Sequence, residues 1–396
     1  MSPSGGGIVR RKVCHNIFEE IISLENLFLA WKEFRRGKRN KIDVQEFEFN
    51  LEDNLFQLRQ ELKGKIYRHS NYISFSICDP KPRRIHKATV RDRILHHAVF
   101  RILYPIFDKE FIFDSYSCRL SKGIHRAVNR LQKFCRKLSR NNTKNIFVLK
   151  CDIRKFFDSI DQDVLLALIK KKVKDKNAIW LIGKIIRGFA NKNVLDFRFR
   201  SPRPPRLGEA GWSYGEAGGN DKNCGNDKRR SDSVKGLPLG NVTSQLFSNI
   251  YLNELDQFIK NKLKIKYYLR YCDDFVILDD NEKCFAPFIA EMENFLAGRL
   301  KLRLHPDKII IRKYHQGIDF LGYVILPHYK VLRTKTKRRM FRKIIVKRQK
   351  LEDGLATEKS FNQTLQSYLG ILSHCRGYKV KKQLIKTCYF AQNIVK

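Results

Sequence analysis

Three aspartates stand at the ends of apolar runs in this sequence. Asp152 follows F-V-L-K-C, and Asp273 and Asp274 lie within Y-C-D-D-F-V-I-L. A carboxylate at the end of a buried strand is costly unless a cation neutralises it, and two adjacent carboxylates in an apolar hairpin cost more. Carboxylate oxygens are ligands that Mg²⁺ prefers. The three aspartates are therefore candidate metal ligands, although an Asp-Asp pair alone is weak evidence because turns are rich in aspartate.

The residues around the aspartates predict the strands that would position them. Residues 145–152 form a short β-rich run that ends in a carboxylate. Residues 266–271 and 275–278 are two further β-rich runs, separated by Cys-Asp-Asp. We expect a hairpin with acidic residues at its tip, and this tip would be the metal site.

Apolar spacing predicts the other elements. Helical periodicity indicates two amphipathic helices between residues 13 and 64, and further helices at 91–107, 123–138, 246–262 and 284–300. Strand alternation covers residues 72–77, a basic turn follows at 80–84, and a short sheet segment is predicted around 309 and 320–325. The last region has helical periodicity.

The charge distribution predicts a nucleic-acid partner. The 396 residues include 80 Lys and Arg against 40 Asp and Glu, a formal net charge of +40. Residues 330–350 hold eleven Lys or Arg and no Asp or Glu, which favours a surface that binds the phosphate backbone. Residues 200–235 are mostly Gly, Pro, Asn, Asp and Lys, so we expect a mobile insertion without a catalytic role.

Two other classes of protein are disfavoured. No apolar run approaches the roughly 20 residues of a membrane-spanning helix, and residues 1–12 lack the apolar core of a signal peptide. We therefore expect no membrane association and a location in the cytoplasm. The ten cysteines form no C-x-x-C pair, which argues against a zinc site and favours free thiols.

From about Ile66 to the C-terminus, the sequence resembles reverse transcriptases. Y-C-D-D resembles their Y-x-D-D signature, and D-I-R-K-F-F from Asp152 resembles their first catalytic motif. Three further segments are similar to the motif beside the nascent base pair (237–245), the motif with a lysine near the triphosphate (305–308) and the primer-gripping hairpin (320–323). Five motifs in the family's order argue strongly against chance agreement.

The resemblance implies an α+β fold of the right-hand polymerase type. Fingers, palm and thumb would be present, with an antiparallel palm sheet carrying the catalytic aspartates and a helical thumb. The implied division is a flexible tail (1–12), N-terminal helices and fingers (13–144), the first part of the palm (145–199), the mobile insertion (200–235), the second part of the palm (236–332) and a basic helical thumb (333–396).

The resemblance also implies a catalytic role for each acidic motif residue. Asp152, Ile153, Asp273 and Asp274 would bind two Mg²⁺ ions, for which Mn²⁺ could substitute. Asp152 and Asp273 would share one ion, whereas Asp274 would act more through its charge. Lys308 would give a proton or a positive charge to the leaving pyrophosphate, and ordinary surface charge is the alternative for this lysine.

Nucleotide and primer contacts are implied in the same way. The dNTP would contact residues of several motifs: Arg84, Arg93, Ile153, Phe157, Leu239, Gly240 and Gln245. The primer would be gripped by Phe320, Leu321, Gly322 and Tyr323. Phe157 would exclude the 2′-OH of a ribonucleotide, with core packing as the alternative. Arg83 and Arg91 are close rivals of Arg84 and Arg93 as the cations that contact the triphosphate.

One variant motif indicates which reverse transcriptases the chain resembles most. L-G-N-V-T-S-Q (239–245) stands where the usual pattern is Q-G-x-x-x-S-P, and it is similar to enzymes of diversity-generating retroelements, as are residues 91–119 and 367–377. These bacterial or phage-encoded enzymes make cDNA from a template-repeat RNA, with errors opposite adenine, to replace a variable region of a target gene. The implied partners are an RNA template, a DNA or RNA primer, the cDNA product, dNTPs and a small basic accessory protein.

Two alternatives remain open at the level of sequence. A defence-associated or group II intron-like bacterial reverse transcriptase would share the polymerase motifs. An RNA-binding scaffold with an inactive polymerase fold would have no need to keep three clustered acids in so basic a chain. RNase H activity is disfavoured because only Glu352, Asp353 and Glu358 follow Asp319 as acidic residues.

Overall fold

A computed structural model describes residues 16–78, 82–189, 194–196 and 234–389. The predicted tail at 1–12 and all but the last two residues of the predicted insertion at 200–235 lie outside the described residues. The chain divides into two compact units, Met1–Leu103 with Ile160–Ser244 and Tyr104–Ser159 with Gln245–Lys396. Two of the three points of division fall inside helices and the third directly follows the helix Phe156–Ser159, and each unit is described below by itself.

The elements follow one another along the chain in this order. The first half contains α1 (Ile17–Ile22), α2 (Leu24–Phe34), α3 (Ile42–Phe49), α4 (Leu51–Lys63), β1 (Tyr72–Ile77), β2 (Arg83–Lys87), α5 (Val90–Asp108), α6 (Ile124–Leu138), β3 (Phe147–Cys151), α7 (Phe156–Ser159), α8 (Gln162–Lys170), α9 (Lys176–Arg187) and β4 (Val194–Asp196). The second half contains α10 (Val242–Gln257), β5 (Tyr268–Tyr271), β6 (Asp274–Asp279), α11 (Phe285–Leu300), β7 (Ile310–Lys313), β8 (Ile318–Phe320), β9 (Tyr323–Ile325), β10 (Lys330–Leu332), α12 (Thr334–Glu352), α13 (Glu358–Ser373) and α14 (Tyr378–Tyr389).

Local side-chain caps explain where three helices of the first unit begin. The Ser23 side chain accepts a hydrogen bond from the Asn26 amide at the start of α2, and Asp161 caps α8 in the same way. Asp175 caps α9, and its second carboxylate oxygen accepts from the Phe18 amide at 2.8 Å. The Asp175 side chain therefore ties α1 to α9.

The first unit differs from the sequence prediction at two places. The region predicted to hold two helices forms α1 to α4, because non-helical backbone at Ser23, a turn at residues 35–40 and non-helical backbone at Asn50 interrupt the apolar periodicity. Arg83 and Arg84, predicted in a turn, lie in β2, which pairs antiparallel with β1. The ladder between the two strands satisfies the backbone polar groups of this basic segment, which outweighs its local turn propensity.

An antiparallel sheet organises the second unit. Its strand order is β5-β6-β3-β7, and a smaller sheet has the order β10-β9-β8. The apolar face of α6 shares a buried cluster with the sheet residues Val148, Leu269, Val276 and Leu278. Buried residues of α12, α13 and α14 belong to the same cluster.

The mixture of helices and antiparallel sheets agrees with the α+β expectation, whereas the division into fingers, palm and thumb stays a prediction. The predicted helix at 246–262 begins earlier, at Val242, and its last turn, Phe258–Lys262, is π-helical. Among the described residues, no helix combines the length and the apolar content needed to cross a bilayer.

Candidate active site

Strand register brings the predicted catalytic aspartates to one end of the larger sheet. β3 and β6 are antiparallel neighbours, and Cys151 pairs with Phe275. Asp152 directly follows Cys151 and Asp274 directly precedes Phe275, so these two aspartates stand side by side where the ladder ends. Asp273 is the next residue along the hairpin. Asp152 and the consecutive pair Asp273–Asp274, which lie far apart in the sequence, are thus neighbours in the fold.

The hairpin tip is a two-residue loop. Tyr271 at the end of β5 pairs with Asp274 at the start of β6, which leaves Cys272 and Asp273 as the connection. Cys272 has a φ of 58°, a left-handed conformation that residues other than glycine seldom adopt. A tight hairpin needs such a residue. Because Cys272 directly precedes Asp273, its left-handed backbone influences the direction of the Asp273 side chain.

Burial and mutual repulsion set the electrostatics of the acidic cluster. Burial raises the pKa of Asp273, and the negative charge of Asp152 raises it further. Burial, partly offset by Lys150, raises the pKa of Asp274 to about 6. The Oδ1 atom of Asp274 is buried and has no hydrogen-bond partner among the described residues. A nearby cation would relieve both the repulsion and this unpaired oxygen.

Two lysines neutralise part of this charge. Lys308 donates from Nζ to Asp152 Oδ2 at 2.6 Å, and Lys150 Nζ lies 3.2 Å from Asp274 Oδ2. Lys308 stands at the end of a 3₁₀ turn, close behind His305, whose amide donates to the Asp152 carbonyl at 2.8 Å. Sequence reasoning missed Lys150, although its position two residues before Asp152 on one strand already placed both side chains on the same face.

The donor set fits Mg²⁺, although the side chains do not form a complete cage. In the part of the chain that the structure describes, no group of three or more His, Cys, Asp or Glu side chains is arranged to hold a metal ion. Asp152 and Asp274 are turned toward lysines instead. Mg²⁺ usually binds one or two carboxylates and completes its shell with water and substrate phosphates. The carboxylate oxygens of the acidic cluster, which include the unpaired Oδ1 of Asp274, suit this mode of Mg²⁺ binding. Metal binding at this site stays a prediction.

The residues that follow Asp152 differ in their exposure. The Ile153 side chain is buried, so only its backbone could contact a metal ion or a nucleotide. Phe156 is also buried, whereas Phe157 is half-buried, and the two rings meet edge to face with centroids 5.3 Å apart. Of the two phenylalanines, Phe156 is therefore the core residue and Phe157 has the accessible ring.

The predicted primer hairpin is a tight turn between β8 and β9. Phe320 pairs with Tyr323, and the turn residues Leu321 and Gly322 have φ values of 50° and 89°. Phe320 and Tyr323 are both buried, and the Tyr323 hydroxyl donates to the Ile371 carbonyl at 3.1 Å. The structure therefore leaves the Leu321–Gly322 turn as the part of this segment that could contact a primer.

Most of the predicted nucleotide-binding residues outside the acidic cluster lie in the first unit. The Leu239 carbonyl accepts from the His86 amide at 3.0 Å, which places the loop at 239–240 beside β2, the strand of Arg84. Gly240 has a φ of 118°, and a Cβ there would lie 3.2 Å from Ile85 Cγ2, so this position favours glycine.

Three other residues predicted to contact the dNTP, Arg84, Arg93 and Gln245, differ in their surroundings. The Arg84 guanidinium donates to Ser74 Oγ at 3.2 Å and 3.3 Å. Arg93 is committed to Asp43 at 2.8 Å and stacks over Phe34, so binding a triphosphate would require this arginine to leave its ion pair. Gln245 is exposed on α10, in the second unit.

Comparisons with known proteins bear on the region that contains this site. A profile of the family described as reverse transcriptase (RNA-dependent DNA polymerase) matches residues 79–325. Protein YkfC of Escherichia coli (strain K12) is 24% identical over 269 residues, covering 60% of this chain and 61% of YkfC. Group II intron-encoded protein LtrA of Lactococcus lactis subsp. cremoris is 23% identical over 307 residues, covering 62% of this chain and 44% of LtrA.

Two further similarities complete the comparison. Nuclear intron maturase 1, mitochondrial, of Arabidopsis thaliana is 23% identical over 57% of this chain and 33% of its own length. Apo telomerase from Candida tropicalis, truncated from the C-terminal domain, aligns with 67% of this chain and 55% of that chain at a TM-score of 0.44 and 13% identity. The chain spans less than two thirds of the length of each of these relatives.

Proposed function

The chain belongs to the reverse transcriptase family, and on that premise we propose that it catalyses RNA-directed DNA synthesis, adding dNTPs to a DNA or RNA primer along an RNA template. Reverse transcriptases generally use divalent metal ions. The observation that carries the proposal is the meeting of Asp152, Asp273 and Asp274 at one end of the β3–β6 pair, inside the region that the family profile covers.

The chain's residues have separate tasks in the proposed mechanism. Asp152 and Asp273 would hold the metal ions, and Asp274 would add negative charge beside them. Two Mg²⁺ ions, when bound, would lower the pKa of the primer 3′-OH and stabilise the leaving pyrophosphate. Lys308, whose Nζ donates to Asp152 Oδ2 at 2.6 Å, would turn its positive charge toward the triphosphate. Phe157 presents its accessible ring to the sugar of the incoming nucleotide.

Basic surfaces of the second unit support binding of the template and the primer. α6 buries one apolar face and exposes basic residues on its other side, among them Arg126 and Lys133. α12 contains no acidic residue before Glu352. Such one-sided charge favours contact with a phosphate backbone and predicts binding that weakens steeply as salt increases. The resulting cDNA would remain on the same surface as a heteroduplex with the RNA.

The division into polymerase subdomains belongs to the same proposal. Residues 145–199 and 236–332 would form the palm, because the sheet with the acidic cluster lies in them. Residues 13–144 would supply the N-terminal helices and fingers, and residues 333–396 the helical thumb. In support of the thumb, α12, α13 and α14 pack on one another through buried apolar residues.

Primer extension tests the proposed activity. The full chain is incubated with an RNA template, a labelled primer, dNTPs and Mg²⁺, beside the Asp273→Ala variant. We expect labelled DNA with the wild type and none with the variant. An RNA-binding scaffold would retain RNA binding in both proteins and give no product with either.

We further propose that the enzyme is the error-prone polymerase of a diversity-generating retroelement. L-G-N-V-T-S-Q at 239–245 supports this, because it departs from the usual Q-G-x-x-x-S-P in the manner of that group. The second candidate is a group II intron-like enzyme, which the similarity to LtrA favours. A template repeat beside the gene, with a near-copy in a target gene, would decide for the retroelement.

The accessory partner is part of the retroelement proposal. A small basic protein would be repelled by a chain of net charge +40. We therefore expect the two proteins to associate through RNA, and nuclease treatment to separate them.

Replacing Leu239 with glutamine is expected to raise fidelity. An apolar side chain here cannot form the hydrogen bond with which a glutamine helps to position the incoming nucleotide. We expect misincorporation opposite template adenine to fall by about five- to tenfold in Leu239→Gln, the scale of a single hydrogen bond. Sequencing of cDNA copied from one defined RNA measures the error rate. Leu239→Met is the matched control and should keep the wild-type error rate. Equal error rates in all three proteins would show that Leu239 does not determine fidelity.

A further inference from the structure

Arg270 is a fully buried cation close to the catalytic hairpin tip. Its side chain lies on β5, two residues before Cys272, and is entirely excluded from solvent. Asp256 of α10 accepts from Nε at 2.8 Å and from Nη2 at 2.6 Å, so the two groups form a bidentate ion pair. A buried charge is tolerated only when it is paired and hydrogen-bonded in this way.

Every N–H of the Arg270 guanidinium has an acceptor. Besides the two bonds to Asp256, Nη2 donates to Ser115 Oγ at 3.1 Å and Nη1 donates to Asn249 Oδ1 at 3.2 Å. The fifth bond runs from Nη1 to the backbone carbonyl of Cys272 at 3.0 Å. Because arginine has five donors in a fixed plane, this arrangement leaves the group no freedom to rotate.

The groups around the guanidinium are themselves held in place. The Tyr268 hydroxyl donates to Asp256 Oδ1 at 2.7 Å. Asn249 Nδ2 donates to the Ser117 carbonyl at 2.9 Å. Two backbone hydrogen bonds of 3.0 Å join Arg270 to the segment at 114–116. The Arg270 amide donates to the Asp114 carbonyl, and the Arg270 carbonyl accepts from the Tyr116 amide. The network is therefore a rigid anchor between α10, β5 and this segment.

The bond to Cys272 connects this anchor to the acidic cluster. Cys272 has the left-handed backbone of the hairpin tip, and its carbonyl belongs to the peptide plane that leads into Asp273. Fixing the carbonyl fixes that plane, and with it the direction in which Asp273 leaves the backbone. Small displacements of a group that acts on reacting atoms have large effects on rate.

We propose that the Arg270–Asp256 pair is a positioning element for metal binding, which acts by holding the Cys272 carbonyl and thereby orienting Asp273. The inference rests on the proposed polymerase function. It adds to that function a pair of residues that contacts neither the metal ions nor the substrate. Lysine could keep the charge opposite Asp256, but its three donors on one nitrogen cannot reach all four partners of the planar guanidinium.

Arg270→Lys tests this role in two measurements on the full chain. In the first, Mn²⁺ binding to the protein with a 3′-dideoxy-terminated primer, an RNA template and dNTP is followed by loss of the free-Mn²⁺ EPR signal. We expect the half-saturating Mn²⁺ concentration to rise by about five- to tenfold. In the second, primer extension should show a kcat lower by about tenfold or more at saturating Mg²⁺, with an unchanged KM for primer–template.

Arg119→Lys is the matched control. Arg119 is also buried, bonds to Asp108 at 2.7 Å and donates to the Ile112 and Ser115 carbonyls, but it has no bond to the hairpin tip. We expect it to lose thermal stability as Arg270→Lys does, with wild-type Mn²⁺ affinity. If Arg270→Lys does not fold, Ser115→Ala, which removes one acceptor of Nη2, should raise half-saturation by about two- to threefold.

The outcomes separate this inference from the proposed function. Equal Mn²⁺ affinities in the folded Arg270→Lys, the Arg119→Lys and the wild-type proteins would overturn the positioning role while the wild type still extends primers. If Arg270→Lys does not fold, wild-type affinity in Ser115→Ala would overturn it. A wild type that shows no Mg²⁺-dependent extension would overturn the polymerase function itself.

Discussion

The Asp273→Ala variant is expected to lose primer extension on an RNA template by about 10³-fold or more, because the proposed mechanism assigns Asp273 a charge that acts directly on the metal-bound transition state. Asp273 stands at the hairpin tip beside Asp152, and the repulsion between the two aspartates raises the pKa of Asp273 further than burial alone. Removing it relieves repulsion in the free protein, so we expect folding to be retained. The measurement is the single-turnover rate of dNTP addition at saturating Mg²⁺.

Asp280→Ala is the matched control for this prediction. Asp280 follows the opposite end of β6, is exposed and pairs with Lys144. An exposed ion pair contributes little to stability, so this variant should extend primers at the wild-type rate. Loss of activity in both variants, or in neither, would contradict the assignment of Asp273.

Replacing Phe157 with valine is expected to let the enzyme accept ribonucleotides. The Phe157 ring is accessible, whereas the ring of Phe156 is buried beside it, so Phe157 is the residue that can meet the sugar of the nucleotide. A ring in contact with C2′ excludes a 2′-OH by steric overlap, and a smaller side chain removes that overlap. We expect the preference for dNTP over rNTP, as a ratio of kcat/KM values, to fall by about 100-fold.

The buried neighbour provides the control for the steric gate. Phe156→Leu should lower the free energy of unfolding by about 1 kcal/mol, as expected for a conservative change in a core, and leave the sugar preference unchanged. If Phe156→Leu changed the preference and Phe157→Val did not, the gate would have been assigned to the wrong phenylalanine.

The strands that position the acidic cluster were predictable from sequence because their signals are local. Apolar β-rich runs end in carboxylates at Asp152 and at the Asp273–Asp274 pair, and the structure places β3, β5 and β6 there with ends shifted by no more than two residues. The meeting of the three acids required a pairing between strands more than 100 residues apart. The alternation of apolar and polar residues along a strand does not specify which strands pair. The order of the family's motifs indicated this pairing.

Long-range polar contacts are the part that sequence patterns could not supply. Sequence patterns do not indicate that Lys150 pairs with Asp274 or that Lys308 pairs with Asp152, since lysines are common on the surface of so basic a chain. The Arg270–Asp256 pair was equally hidden, because burial of an arginine depends on a partner from another element. Arg84 was wrongly predicted in a turn because the preceding prolines, Pro80 and Pro82, are typical of turns, whereas pairing of β2 with β1 decides the structure.

The predicted primer hairpin shows the limit of transferring a motif without a structure. The resemblance assigned Phe320 and Tyr323 to the primer together with the two residues between them. In the fold, the two aromatic residues pair across the hairpin and are both buried, whereas Leu321 and Gly322 at the turn are partly exposed. Burial therefore narrows the residues of this segment that can contact a primer, and primer binding by the segment stays a prediction.

Anomalous diffraction from Mn²⁺ tests the central claim most directly. Crystals of the protein with an RNA template, a 3′-dideoxy-terminated primer and the next dNTP would be grown in Mn²⁺ and measured above its absorption edge. Two anomalous peaks are predicted within about 2.0–2.3 Å of carboxylate oxygens, the range of such metal–oxygen bonds, with at least one peak bridging Asp152 and Asp273. Peaks confined to other sites, or a structure with these two carboxylates too far apart to share an ion, would contradict the account.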